Sequence, residues 1–567
     1  MDLLGINYSL DSAAAFLRDG KVLAAVTDER FTKEKHSHAF PTQSIEYCLR
    51  YAGTDLAGVD CVAFFWNPGI HLQSFNVRRS SSVRHHTEYL SSLPNHLLAQ
   101  YPLAWDALEV EHVEQSFAIR GADHPLRIVY VTHHRAHAAS AFFLSPFEEA
   151  AILTVDGYGE QTSAFLGEGR GNKLWSHQEI AFPHSLGAFY AAVTQYLGFQ
   201  ANCEEGKVMG LAAYGEPVYA DEMRKLVSLG PEGTFEVDLS FFGFHQERAR
   251  RYSSKWVGRF GPERERNAPL EARHHDIAAS AQQVLEDTLV HMARHVQTIT
   301  GQRALCLAGG VALNCVANSR VADEAGFDDV FIQPAAGDNG TSLGAALYVQ
   351  HQLHDAPRES VVHTDALGPE FSDDEIEVEL RENRVRYERC GDIARVAAQR
   401  IANGEIIGWF QGRMEFGPRA LGQRSILGDP RRPETKQVLD ERIKRRETFR
   451  PYAPAVLREA QNDYFTGPGD SPFMLKSYDV RPDKRASIPS VVHVDGSARV
   501  QTVERTSNPR FYELIEAFGG ITGVPVVLNT SFNGRGETMV CDVADALRCF
   551  YSTGLDALAI GRWLVRK

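Results

Sequence analysis

Two imidazoles one helical turn apart, His133 and His137, precede an apolar run that ends on the carboxylate of Asp156, all within THHRAHAASAFFLSPFEEAAILTVDG. Side chains at i and i+4 on a helix project from one face, and a carboxylate at a nearby strand end can complete a divalent-metal site. His134 lies in the same run, but its offset of three from His137 makes it the second choice. Because the chain has 22 histidines, such a pair could arise by chance, and a second carboxylate is what narrows the chemistry. It comes from QPAAGDNGTSL, which follows another apolar run and offers Asp338 in a glycine-flanked turn. Two imidazoles and two carboxylates make a mixed N/O set suited to Fe(II), Mn(II) or Zn(II) rather than Ca(II), with positions left open for a ligand.

The elements that must position these groups read as α/β. LLGINY, then SAAAFLRDGKVLAAVTDE around Asp19-Gly20, then PTQSIEYCLRYAG with Gly53 as a C-cap, predict strand, hairpin, strand and helix. A similar pattern returns at AAILTVDGYGEQTSAFLGEGRGNKLWSHQE. Two βββα halves, each with an aspartate in its first turn, describe an actin-like or sugar-kinase-like duplicated domain. The helix-period stretch DIAASAQQVLEDTLVHMARHVQ leads into ALCLAGG, whose Gly309-Gly310 pair precedes Asn314 and lets backbone approach a flat or anionic ligand. In EEGKVMGLAAYG, Lys207 is read in a glycine-flanked turn, either reaching a phosphate or solvated.

From about Leu353 to Asp374 the pattern weakens, predicting domains 1–355 and 375–567 joined by a linker over 356–374. The second domain opens with DIARVAAQRIANG and EIIGWFQG. Next, Arg413, Arg419, Arg424, Lys444 and Arg450 are interleaved with Gly417, Pro418, Gly422 and Gly428, a shaped loop whose guanidinium forks suit phosphate. VPVVLNTSFNGRG delivers Asn529, Thr530, Ser531 and Asn533 to a strand end, where they could fix a small carbonyl or amide group or simply cap a turn.

Length and composition set the bounds. The chain has 567 residues, 43% of them hydrophobic, which exceeds one ordinary core. A formal net charge of −14 argues against general affinity for nucleic acid or anionic lipid, so a polyphosphate site must be a local basic pocket. The amino terminus does not read as a secretion signal, and no apolar run is long enough to span a membrane. Eight scattered cysteines without a CxxC pair suit buried thiols in a reducing cytoplasm. Oligomeric state is not legible, a homodimer included.

Taken together, the motifs DSAAA, DERFTKEKH, HHRAHAASAFFLSPF, TVDGYGE, GKVMGLAAYG, AGGVALN, GDNGTSLGAA, GRMEFGPRALGQRSIL, FRPYAPAVL, ARVQTV and NTSFN resemble the ATP-dependent O-carbamoyltransferases of antibiotic and nodulation-factor tailoring. The resemblance runs in order over nearly the whole chain. It implies a first domain like the threonylcarbamoyladenosine-forming proteins of the actin-like superfamily and a YrdC-like second domain. The second would make carbamoyl adenylate from carbamoyl phosphate and ATP, with Mg accompanying ATP, and the first would transfer the carbamoyl group to a small-molecule hydroxyl. By motif, Arg419, Arg424, Lys444, Arg450, Arg499, Asn529 and Ser531 would bind carbamoyl phosphate and ATP, with Lys444, Arg419, Arg450 and Ser531 catalytic. Asp11, Lys207, Gly309, Gly310, Asn314 and Asn339 would face the adenylate in the first domain, and His133, His137, Asp156 and Asp338 would hold the metal, Fe(II). Many relatives carry histidine directly before the first-turn aspartate, where this chain has Leu10, so the general base is unassigned. The alternatives are a kinase or ATPase of the actin-like superfamily, which leaves the second domain unexplained, and a non-catalytic nucleotide-binding scaffold. The region Trp66–Pro125 reads as a helical insertion shaping an acceptor pocket.

Overall fold

The computed structural model describes residues 1–67, 112–119, 124–246, 249–358 and 364–567. They fall into two compact units, one of Met1–Ala25, His36–Leu313 and Arg320–Val361, the other of Val26–Lys35, Asn314–Ser319 and Val362–Lys567. The second unit is therefore not contiguous in sequence: two short segments from the amino-terminal part group with it.

In the first unit, β1 (Asp2–Asn7) pairs antiparallel with β2 (Ala13–Arg18), and β3 (Lys21–Thr27) follows through Asp19-Gly20, both at positive φ. That turn has the twist two right-twisted strands require. Beyond β1 lie β4 (Cys61–Phe64) and β6 (Leu126–Val131), both parallel, with β5 (His112–Phe117) antiparallel at the edge. The order is β3-β2-β1-β4-β6-β5. A second sheet uses β7 (Glu149–Val155), β8 (Thr162–Arg170) and β9 (Lys173–Ala181). After the hairpin β10 (Val227–Leu229) and β11 (Phe235–Val237) it adds β12 (Ala304–Ala308) and β13 (Asp329–Ile332). Its order, β9-β8-β7-β12-β13, repeats β3-β2-β1-β4-β6, including the antiparallel inner pair and the parallel strands beyond it. The repeated pattern in the sequence is thus a repeated topology. Ala150–Val155 of β7 is buried at every position, which is why this strand reads as a continuous apolar run rather than an alternation.

Most of Trp66–Pro125, read from the sequence as a helical insertion, lies outside the described residues; its described part includes the strand His112–Phe117. Among the described residues, no helix is long and apolar enough to cross a membrane.

The second unit is built on a mixed eight-stranded sheet. In spatial order its strands are Tyr387–Arg389, Trp563–Arg566, Ala557–Ile560, Ile407–Phe410, Arg424–Gly428, Val526–Ser531, Ala453–Leu457 and Gln501–Val503. Ile407–Phe410 with Ala557–Ile560, and Ala453–Leu457 with Gln501–Val503, are the parallel pairs. The helices Ile393–Ala402, Pro509–Thr522 and Val543–Ser552 contribute Ile401, Phe518 and Phe550 to one apolar core with Trp409, Ile426 and Leu528 from the sheet. A smaller sheet of Phe465–Thr466, Ser477–Val480 and Ser497–Arg499 carries Arg499 at its end.

Candidate functional site

The helix His133–Phe142 begins directly after β6, and almost all of it is buried. Its neighbour, the helix Asn339–Leu347, approaches it closely because Gly344 has no side chain: a Cβ there would lie 1.8 Å from the Ala136 carbonyl oxygen. This close approach carries Asp338, the residue before that helix, to the imidazoles. The Nε2 atoms of His133 and His137 are 3.1 Å apart, and Asp156 Oδ2 lies 3.4 Å and 3.0 Å from them. Asp338 Oδ1 lies 3.7 Å from His133 Nε2 and 3.8 Å from His137 Nε2. One donor atom from each of the four residues lies within 4.8 Å of the others.

This set fits a divalent ion. Both imidazoles are fully buried, whereas the two carboxylates keep 15% and 18% of their side-chain surface, so a ligand has a way in. Burial works against a charged His137, yet the hydrogen bonds it donates to Asp156 and Asp338 outweigh it and raise its pKa to about 9. Burial likewise opposes ionisation of Asp156, but the bonds from His133 and His137 hold it well below the usual carboxylate range. The pocket therefore stabilises positive charge between two carboxylates, the electrostatic requirement of an M(II) site. His134 is engaged elsewhere, with Nδ1 2.6 Å from Thr154 Oγ1 and Nε2 3.0 Å from the Thr162 carbonyl.

Three supporting residues were not singled out from the sequence. Buried Glu160 accepts from the backbone N–H of His133 (3.0 Å) and of Asn67 (2.7 Å), anchoring the first turn of the metal helix. Ser9 Oγ donates to Asp338 Oδ2 at 2.6 Å, and Asn7 Nδ2 donates to the Asp338 carbonyl at 2.8 Å. Glu160 lies within the TVDGYGE motif and could have been flagged as a carboxylate beside a metal ligand. Asn7 and Ser9 carried no local signal.

The remaining first-unit candidates divide. Asp11 occupies the turn between β1 and β2 at φ 62°, with Oδ1 2.7 Å from His36 Nδ1. Gly309, at φ 89°, follows β12, and a Cβ there would sit 2.2 Å from the Val155 carbonyl, so packing against β7 already requires glycine at this position. A Cβ on Gly310 would meet Asp156 Oδ1 at 3.0 Å. Asn339 is buried at the start of its helix, next to Asp338. One placement is corrected: Lys207 is not in a turn but in the helix Glu205–Ala212, its charge paired with Glu204 at 2.6 Å. Asn314 Oδ1 accepts from Ala317 N–H at 3.1 Å and so caps the helix Cys315–Glu324, and Asn314 groups with the second unit.

In the second unit, Lys444 ends the helical turn Leu439–Lys444 and is 5% exposed. Its Nζ donates to the Ser531 carbonyl, to Ser531 Oγ at 3.3 Å, and to Asn533 Oδ1 at 2.6 Å. Burial, followed by Arg446 and Arg450, pushes its pKa well below the lysine range. Asn529 donates Nδ2 to Ala420 O and Gln501 Oε1, while its buried Oδ1 has no hydrogen-bond partner among the described residues. Burial and then neighbouring positive charge lower Arg450 to about 10 and Arg499 to about 9, Arg446 being the cationic neighbour of the first and Arg419 of the second. Among the described residues no carboxylate lies within 4.0 Å of either guanidinium. Like charges gathered in a desolvated place require an anion to offset them.

Arg424 is a correction. It is fully buried; Nη1 donates to the carbonyls of Gln411, Gly412 and Gln423 and Nη2 to Pro369, with the guanidinium 3.6 Å from the Phe410 ring centre. Its donors hold the loop together and are not presented to phosphate. Arg413 is similarly used, on the carbonyls of Leu367 and Gly368. Glu415, unmarked by sequence, accepts the N–H groups of Leu421, Gln423 and Arg424 at 2.8–3.0 Å and so shapes the loop that carries Arg419. Arg424→Met is accordingly expected to cost on the order of 3 kcal/mol, because several buried carbonyls lose their donor. Urea unfolding checks this; an unchanged midpoint with a raised KM for ATP would restore Arg424 as a phosphate ligand.

Residues 2–347 match the family profile described as carbamoyltransferase N-terminus, and residues 398–567 match carbamoyltransferase C-terminus. The chain belongs to the carbamoyltransferase family. Its relatives include the uncharacterized protein sll1178 of Synechocystis, 42% identical over 100% of this chain and 96% of that one. The nodulation protein NolNO of Sinorhizobium fredii is 40% identical over 98% of this chain and 79% of its own. The 3'-hydroxymethylcephem-O-carbamoyltransferase of Amycolatopsis lactamdurans is 29% identical over 76% of this chain and 79% of its own. The protein is therefore an enzyme, a carbamoyltransferase, with its four convergent metal-type ligands in one unit and its buried cations in the other.

Proposed function

We propose that this carbamoyltransferase, on its second unit, YrdC-like in fold, uses one water to cleave carbamoyl phosphate into carbamate and phosphate. It then joins the carbamate oxygen to the α-phosphorus of ATP as carbamoyl adenylate, releasing pyrophosphate. Its first unit, actin-like in fold, then passes the carbamoyl group to a hydroxyl of a small natural-product acceptor in the cytoplasm. The observation that carries this is the set of cations Lys444, Arg450 and Arg499, which no described carboxylate neutralises within 4.0 Å. Mg-ATP and carbamoyl phosphate together supply the multiple negative charge such a set requires. Ser531 Oγ beside Lys444, and the buried Asn529 Oδ1, offer a hydrogen-bonding cradle for the carbamoyl amide.

The chemistry explains the division. A carbamate is a poor electrophile, and adenylation gives it a good leaving group; the mixed anhydride is labile in water, so one chain that makes and consumes it limits its loss. His133, His137, Asp156 and Asp338 would hold a divalent metal, Fe(II) in our reading, which when bound supplies Lewis-acid polarisation of the carbamoyl donor. Ser9 fixes Asp338 and Glu160 fixes the start of the metal helix, so the donor set is organised before the carbamoyl donor arrives.

Purified enzyme is expected to release pyrophosphate and AMP from ATP only when carbamoyl phosphate is present. Release of ADP, or pyrophosphate release that ignores carbamoyl phosphate, would overturn the proposal, ADP in favour of a kinase or ATPase.

A further inference from the structure

We infer that Asp11, oriented by His36, is the general base that takes the proton from the acceptor hydroxyl during carbamoyl transfer, an inference that rests on the function proposed above. Asp11 and His36 both hold the left-handed backbone, at φ 62° and 54°, conformations that are costly for residues with side chains and that concentrate at functional sites. Together they place Asp11 Oδ1 2.7 Å from His36 Nδ1. The same turn is tied to the metal loop: Asn7 Nδ2 donates both to the Asp11 carbonyl at 3.2 Å and to the Asp338 carbonyl at 2.8 Å.

The pair is open to a ligand. Asp11 and His36 keep 27% and 32% of their side-chain surface, and Asp11 Oδ2 has no hydrogen bond among the described residues. In the same two segments, Tyr8 before Asp11 and Phe40 after His36, two exposed rings lie 5.9 Å apart and offer an apolar face on which a ring-bearing acceptor, such as a sugar, can rest. Charge assigns the roles. Burial disfavours a protonated His36, but Asp11 and then Cys203 outweigh it and raise its pKa to about 10, with Glu205 adding longer-range attraction. At neutral pH His36 is an imidazolium: it cannot accept a proton, but it can hold Asp11 in place as a carboxylate.

In the step itself the acceptor oxygen bonds to the carbamoyl carbon as its proton passes to Asp11 Oδ2. The bond from that carbon to the phosphate oxygen breaks, and AMP leaves with the electron pair. Asp11 is thus a catalytic residue and His36 a positioning one.

The test supplies ATP and carbamoyl phosphate with methanol or 2,2,2-trifluoroethanol as the acceptor and measures the alkyl carbamate by mass spectrometry. Asp11→Asn, whose side chain tolerates the left-handed turn, is expected to lower transfer to methanol by about 100-fold and transfer to the more acidic trifluoroethanol far less. His36→Ala should show the same unequal loss, larger with methanol, and His36→Gln, which retains an N–H donor, should keep most of the transfer to methanol. Pyrophosphate release and metal content should not change in any variant. Equal losses with both alcohols, or no loss, would overturn the inference, as would wild-type transfer no faster than uncatalysed solvolysis. Absence of carbamoyl-phosphate-dependent pyrophosphate in the wild type would instead defeat the proposed function, before the acceptor step is reached.

Discussion

Lys444→Ala is expected to reduce carbamoyl-phosphate-dependent pyrophosphate release by about 10²–10³-fold, the usual effect of removing one preorganised charge-stabilising donor from a desolvated site. Lys444 is 5% exposed and its Nζ is held by Ser531 and Asn533, so its position is set before any ligand binds. Burial lowers its pKa from the model-compound value of 10.5, so an incoming phosphate both gains a hydrogen-bond donor and favours the charged form that burial disfavours. The same shift gives a measurement that does not depend on turnover. The unfolded lysine keeps its proton up to its ordinary value, while the folded one releases it at lower pH. Between those two pH values the unfolded state binds more protons, so stability rises with pH across that window. Lys444→Ala should lose that rise in pH-dependent urea unfolding. Pyrophosphate release at the wild-type rate, with the pH slope intact, would remove Lys444 from the adenylation site.

His137→Ala should have the opposite signature: pyrophosphate release continues while carbamoyl transfer falls by more than about 100-fold, because one of four convergent ligands is lost. His137 Nε2 is 3.0 Å from Asp156 Oδ2 and 3.1 Å from His133 Nε2, so its removal opens the centre of the set. Elemental analysis of the purified variant should show the metal depleted. His134→Ala is the control, since that ring is engaged by Thr154 and Thr162, and it should keep both metal and transfer. Loss of both partial reactions in His137→Ala would mean that the cluster supports the fold rather than the chemistry.

Arg424 and Lys207 both sit among glycines, a setting that suggests ligand binding. Glycine spacing reports where a chain can turn, but not which carbonyls or carboxylates then surround a cation. In the folded protein four backbone carbonyls consume Arg424, and Glu204 consumes Lys207. Arg450 and Arg499 have the same residue type yet are left without a carboxylate among the described residues.

By itself the sequence determined what depends on short range: the His133–His137 spacing, the Asp19-Gly20 turn, and the two repeated strand patterns that become matching sheet orders. These follow from 3.6 residues per helical turn, from turn stereochemistry and from burial patterns along single strands. The sequence offered Asp338 as a fourth ligand, but only the tertiary structure shows how it reaches the histidines, through the close helix approach at Gly344, and that Asp11 meets His36. Both depend on packing between segments distant in sequence. A carboxylate's function is set by the neighbours that packing brings to it, and residue type and spacing carry no record of those neighbours.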